Sequence, residues 1–302
     1  MAALQSLRPA VGGIVRNPIL VVVAALFAVA QLPNLLVPPS MPVLSLAVSI
    51  GLFGVFVLGL PFAQGGFLGM SDEAVTGHTR LGTFLRVGKE HYVPLLLGYL
   101  VLLALNFAFG FLAFFGAMAV VLGGAYTAAE STAAGSAMSM GTGPTAGTGG
   151  VAAGASGFGA DPTILAAAAI VGLGLLLVYF LVTFFVQFYA HAVVLDGTDL
   201  VAGFRRSASL VRHNVVSALG YTIVLFVGGT IFGGVAALSS SIAAVAFGGG
   251  MADGNPAAEL LPALSPAVAA VGLVVYLVVV GVMGAFYGTY SVAFYRSLSG
   301  SA

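Results

Sequence analysis

A chain of 302 residues, 60% of them hydrophobic and 6% charged, with a mean hydropathy of +1.13, cannot clothe a water-soluble globule. Nine Lys and Arg balance nine Asp and Glu, so no basic field exists to attract nucleic acid, and the absence of cysteine removes disulfides, thiolate nucleophiles and Cys-ligated metal sites. A soluble enzyme domain is excluded, and the composition is that of an integral membrane protein.

Arg8 and Arg16 precede the first apolar run, Pro18 to Val37. Five more follow: Val43 to Leu68, Tyr92 to Gly123, Pro162 to Tyr189, Val215 to Phe247 and Pro266 to Tyr295. A helical crossing needs about 20 apolar residues. Because the runs are apolar on every side, they do not alternate as barrel strands do. The predicted fold is all-α and polytopic, with six transmembrane helices and two amphipathic elbow helices in the loops. Asn17-Pro18, Asp161-Pro162 and Ser265-Pro266 each offer an N-cap acceptor followed by proline, where no amide donor is required. Ala28-Val29-Ala30 resembles a leader-peptide cleavage site, but the 17 residues before the apolar core and the apolarity up to Val37 favour an uncleaved span. The third and fifth runs exceed a straight crossing, and are expected to tilt, protrude, or break near Gly110, Gly116 or Gly228-Gly229. Residues 124–161, rich in Gly, Ala, Ser and Thr, read as a disordered external loop. Its GTGPTAGTGG stretch has neither the leading strand nor the lysine of a phosphate-cradling loop.

Threading the six runs alternately places every cation on one side. Arg8 and Arg16 come first; Arg80, Arg86 and Lys89 join runs two and three; Arg205, Arg206 and Arg212 join four and five; Arg296 follows six. The opposite side carries only Glu130, Asp161, Asp253 and Glu259. The positive-inside rule then predicts a multi-pass protein of the cell membrane with both termini in the cytoplasm.

The two basic loops look alike. In the second, Asp196-Gly197 supplies a turn and Asp199 an N-cap; Leu200, Val201, Phe204, Ala208 and Val211 share one helical face, and Arg205, Ser209 and Arg212 another. In the first, Leu81, Phe84, Leu85 and Gly88 oppose Arg80, Thr83, Arg86 and Glu90, with Thr79 as the cap. Equal spacing from His91 to Gly98-Tyr99 and from His213 to Gly220-Tyr221 suggests a parallel internal repeat, with spans one and six flanking it. Shared loop chemistry is the alternative. The run VVLDGTDLVAGFRRSASLVRHN, Val193 to Asn214, resembles the motif joining two spans in membrane domains attached to some bacterial glycerophosphodiester phosphodiesterases, and also resembles uncharacterised six-span proteins of halophilic archaea. The resemblance implies a polytopic membrane protein. The chain has no room for the phosphodiesterase barrel and lacks its His, Glu and Asp metal-binding pattern, so no catalytic residue is carried over.

The six runs hold no Asp, Glu, Lys or Arg, which speaks against proton coupling, and no HExxH or paired aspartates that would mark a membrane protease. Neutral polar residues remain: Gln31, Asn34, Gln64, Asn106, Thr183, Gln187, Tyr287, Thr289, Tyr290 and Ser291. They can bond between helices, or line a path of which Asn106, Gln187 and Tyr290 are the candidates. His191 beside Asp196 and Asp199 matches no compact metal-ligand spacing and reads as an interfacial histidine, and His78, His91 and His213 as solvated. Gly229 with Gly233 and Gly284 with Gly288 fit close helix packing. The sequence thus predicts a non-enzymatic membrane protein without cofactor or metal, acting as scaffold or lipid or partner contact through Arg80, Arg86, Lys89, Arg205, Arg206 and Arg212, with anionic headgroups as ligand and no nucleic acid. The alternative is a permease or channel-like protein for a neutral or lipid-like solute.

Overall fold

The computed structural model describes residues 2–30, 41–135, 162–246 and 266–300, and every regular element among them is an α-helix. In chain order these are α1 (Ala2–Gln5), α2 (Leu7–Arg16), α3 (Ile19–Val29), α4 (Pro42–Thr76), α5 (Leu81–Glu90), α6 (Tyr92–Gly135), α7 (Pro162–Val186), α8 (Tyr189–Leu195), α9 (Leu200–His213), α10 (Val215–Ala246) and α11 (Pro266–Ser299). Five spans long and apolar enough to cross a membrane lie in α4, α6, α7 with α8, α10 and α11; α2 and α3, bent by 86°, form a candidate sixth. The chain is an all-α polytopic membrane protein.

A hydrocarbon layer offers no water to a freed carbonyl, so an interrupted helix is costly there. Accordingly α6 and α10 run unbroken through Gly110, Gly116 and Gly228-Gly229. The overlong third run is a single helix. Its helix continues to Gly135 through an alanine-rich stretch of high helix propensity, so residues 124–135 of the expected loop are helical. The remainder of that loop, with GTGPTAGTGG, lies outside the described residues, as do Gln31, Asn34, Asp161, Asp253, Glu259 and Ser265. The fourth run does break, at Gln187-Phe188.

Packing divides the chain into two compact units, residues 1–100 with 185–302, and residues 101–184. In the first, α11 is the axis. A Cβ on Gly281 would lie 2.7 Å from the Val21 carbonyl oxygen and one on Gly284 2.8 Å from the Ala24 methyl, so glycine lets α11 lie against α3. Gly288 makes the same room for Phe67 and Ser71 of α4. The Gly284 and Gly288 spacing therefore serves contacts within the chain. Of the other pair, Gly229 faces the Tyr287 hydroxyl and Gly233 faces open space. Helices α4 and α5 touch backbone to backbone, because a Cβ on Gly66 would sit 2.5 Å from the Phe84 carbonyl oxygen and one on Gly88 2.8 Å from that of Phe62.

The buried side chains gather near the elbow ends of the spans. Tyr221 stacks on Phe294 at 4.6 Å and on Tyr290 at 5.3 Å, and Phe188 packs against Phe294 and Tyr295. Leu20, Val23, Met70, Ala74 and Ala285 form an adjoining cluster. Farther along, the spans show leucine, valine and phenylalanine outward, as hydrocarbon requires. Gly66→Ala, aimed at a backbone carbonyl, should cost about 1–3 kcal/mol of stability. Gly51→Ala in the same helix meets nothing within 4 Å and should stabilise by up to about 1 kcal/mol. Thermal unfolding of the two variants in detergent checks this, and equal shifts would contradict the close approach.

Candidate functional site

Three amphipathic helices, α2, α5 and α9, each lead into a span through a residue that turns back on the helix it ends. Asn17 Nδ2 donates to the Gly13 carbonyl at 3.0 Å, Asn214 Nδ2 to that of Leu210 at 3.2 Å, and His91 Nδ1 lies 3.3 Å from that of Val87. Their backbone amides bond to the same three carbonyls, so each carbonyl keeps its helical donor and gains a second polar contact from the side chain. The span then resumes on their own carbonyls, which accept from Leu20, Leu95 and Ala218 N–H. Asn17 does more than cap. Its Nδ2 also reaches the Gly77 carbonyl at 3.0 Å and its Oδ1 accepts from Thr79 N–H at 2.9 Å, fastening the turn after α4, while Pro18 takes the N-cap position of α3.

The α2 elbow escaped the sequence reading, which began the first span at Pro18 and weighed the basic residues before it only as charges. The two elbows end at equivalent positions, His91 after α5 and Asn214 after α9, one residue off the spacing that pairs His91 with His213. A slip of one residue turns a helix by about 100°. The spacing of the elbow ends superposes the buried Leu95 on the buried Ala218.

The elbow faces differ from expectation in the same rotational sense. Helix α5 buries Thr83, Val87 and Gly88, and leaves Leu81 and Leu85 each 52% exposed. Thr83 turns inward because its hydroxyl donates to Glu73 Oε2 at 2.7 Å, and Thr79 bonds the same oxygen instead of capping α5, where Arg80 holds the N-cap position without a side-chain bond. Helix α9 buries Gly203, Ser207, Leu210 and Val211, leaving Val201 58% exposed. Its start matches the sequence: Gly197 turns at φ 64°, and Asp199 Oδ1 accepts from Ala202 N–H at 2.7 Å. Ser207, which the sequence did not single out, repairs the break between α7 and α8, donating to the Phe185 carbonyl at 2.7 Å and accepting from Phe188 N–H at 3.0 Å.

Of the six cations expected to contact lipid or partner, two are paired: Arg86 with Glu73 at 3.8 Å and Arg206 with Asp196 at 3.4 Å. Arg80, Lys89, Arg205 and Arg212 are exposed, with no carboxylate within ion-pair distance among the described residues. Arg296 grips both oxygens of Asp72, joining α11 to α4, and Tyr295 donates to Asp196 at 2.6 Å. Asp72, Glu73, Glu90 and Asp196, with Thr83 and Arg86, line a polar hollow of 460 Å³ that sequence reasoning missed. The signal was present in the three-residue run Ser71-Asp72-Glu73 closing an apolar span.

Among the described residues no three His, Asp or Glu are placed to hold a metal ion. His191 is buried, stacked on Tyr295 at 5.5 Å with Phe188 edge-on at 5.7 Å, while Asp196 and Asp199 are engaged elsewhere. His78 and His213 are exposed, the latter with Nδ1 2.8 Å from the Ser209 carbonyl. The path candidates bond to separate elements. Asn106, in the 101–184 unit, accepts from the Tyr179 hydroxyl at 2.8 Å. In the other unit Gln187 Oε1 accepts from Thr222 at 3.4 Å, and the buried Tyr290 donates to the Ala3 carbonyl at 3.1 Å. Tyr287 donates to the Leu225 carbonyl, whereas Thr183, Thr289 and Ser291 bond to carbonyls of their own helices. Gln64 is exposed.

Fold and elbows together define a polytopic helical membrane protein whose amphipathic helices are tied to the ends of its spans. The chain belongs to the family described as a domain of unknown function, DUF7847, whose model matches residues 1–298. No curated protein and no solved structure matches it.

Ser207→Ala removes both bonds at the α7–α8 break and should cost about 1–3 kcal/mol, against under about 0.5 for the exposed Ser209→Ala. Comparative unfolding in detergent measures the difference, and equal stabilities would show that the break needs no repair.

Proposed function

We propose that this protein is a non-enzymatic membrane module that lays its elbow helices in the headgroup layer of the inner leaflet, both termini cytoplasmic, and holds anionic headgroups there. The observation that carries this reading is the outward face of α5 and α9. Leu81 and Leu85 stand exposed beside Arg80 and Lys89, and Val201 beside Arg205 and Arg212. Water would satisfy the cations and not the aliphatic groups, whereas the boundary between headgroups and chains satisfies both. Each cation near an anionic surface adds about 1 kcal/mol. Arg86 and Arg206 are committed to carboxylates, so the attraction rests on the other four. The cytoplasmic side follows from all nine cations lying at this end, including Arg8, Arg16 and Arg296. The resemblance of residues 193–214 to membrane domains joined to phosphodiesterases of glycerophosphodiesters agrees with a lipid-facing role and adds no catalysis.

The chain contains no tryptophan, so Leu85→Trp and Val201→Trp each create a single reporter. In vesicles containing phosphatidylglycerol both should emit in the blue and be quenched by lipids brominated near the headgroup end of the chain. Emission at the wavelength of tryptophan in water, quenched by aqueous iodide alone, would overturn the interfacial placement.

A further inference from the structure

Two helical hairpins of this chain enclose clefts built from corresponding positions. The cleft between α6 and α7 is lined by Asn106, Phe109 and Gly110, and that between α10 and α11 by Gly229, Phe232 and Gly233, each 123 residues further on. On the descending helices Val171, Leu175 and Tyr179 correspond to Val279, Met283 and Tyr287. The clefts differ in size, at 350 Å³ for the α10–α11 hairpin and 820 Å³ for the α6–α7 hairpin. The tyrosine of each cleft meets a different partner. In the narrow cleft the Tyr287 hydroxyl reaches the Leu225 carbonyl at 2.6 Å, passing a glycine whose Cβ would lie 2.8 Å from it. In the wide cleft Asn106 stands at the position of that glycine. It donates to the Leu102 carbonyl, the counterpart of Leu225, at 2.8 Å and accepts the Tyr179 hydroxyl itself. The asparagine is a spacer between tyrosine and backbone.

We infer that the α6–α7 groove is a binding site for the hydrocarbon chains of one membrane lipid. Both walls belong to spans. No charged residue lines the groove, and its polar pair, Asn106 and Tyr179, is closed upon itself, so the fitting surface is neutral and apolar. Its small lining residues do not serve helix contact, since a Cβ on Gly110, Gly116 or Gly172 would meet nothing within 4 Å. From Asn106 to Ala119 the groove runs about 20 Å at about 1.5 Å per residue, somewhat more than half of a hydrocarbon core about 30 Å thick. A polymethylene chain, with neighbouring carbons about 4 Å away, is about 4–5 Å wide, so two chains fill about 600–800 Å³. One two-chain lipid matches the volume.

Native mass spectrometry of the full chain in detergent, supplied in turn with dioleoyl phosphatidylcholine and dioleoyl phosphatidylglycerol, tests this. One lipid of either kind should remain bound after looser adducts are stripped. Gly116→Leu with Gly172→Leu fills the groove, Asn106→Gly lets it close, and each should lower that occupancy about tenfold. Gly174→Leu, equally open but outside the lining, should leave it unchanged, with unfolding temperatures confirming that all variants fold. Unchanged retention in the filled variants, no retained lipid, or a dimer lost on filling would overturn the site. Retention that depends on phosphatidylglycerol and falls with Lys89→Ala and Arg205→Ala would also overturn it, and would leave the elbow reading standing.

Discussion

A polypeptide that enters hydrocarbon takes its amides and carbonyls along, and wherever it bends something must bond to those the bend releases. Here the bends fall where amphipathic helices meet spans, and at each one side chain, Asn17, His91 or Asn214, adds a second contact to the carbonyl four residues back that its own backbone amide already bonds. Short amide and imidazole groups suit this, because they reach the last turn without unwinding the first turn of the span. At the break between α7 and α8, Ser207 of α9 donates to the Phe185 carbonyl and accepts from the Phe188 N–H.

Because lipid chains are as apolar as leucine, span packing gains little from hydrophobicity and depends on close fit. That explains where the ordered interior lies. At the elbow end glycine brings α3, α4, α5 and α11 to backbone contact, aromatic rings fill what remains, and carboxylates at the ends of α4 and α8 take up Arg86, Arg206 and Arg296. Pairing these arginines tightens the helix ends and reduces the charge left for the membrane surface. What faces outward from α5 and α9 is therefore a mixture of aliphatic groups and unpaired cations. The α6–α7 hairpin carries an asparagine where its counterpart has glycine, and encloses the larger of the two grooves.

Much of the architecture was legible in the sequence because a hydrocarbon layer constrains composition so strongly. Six apolar runs, their helical nature and the cap at Asp199 all follow from residue types alone. Rotation about the helix axes did not follow. Thr83 looks polar and outward, but its hydroxyl bonds Glu73, ten residues earlier, on the face of α5 that Gly88 and Val87 pack against α4, and Leu81 and Leu85 face outside. Two histidines match by identity 122 residues apart, whereas the elbow helices end at His91 and Asn214, 123 apart. The pairing of Asp72 and Asp196 with α11 could not be read from spacing, since Arg296 lies 224 residues from Asp72 and Tyr295 lies 99 from Asp196. The α2 elbow was missed because the first span was begun at Pro18 and the basic residues before it were weighed only as charges.

The central claim is that the elbow helices share one face of the membrane, the cytoplasmic one. A chain without cysteine permits a direct measurement: single cysteines at Lys89, Arg205 and Asp253, challenged with a membrane-impermeant thiol reagent in right-side-out vesicles. The account predicts labelling of Asp253→Cys in intact vesicles, and of Lys89→Cys and Arg205→Cys only after permeabilisation. Labelling of either elbow position from outside would contradict it.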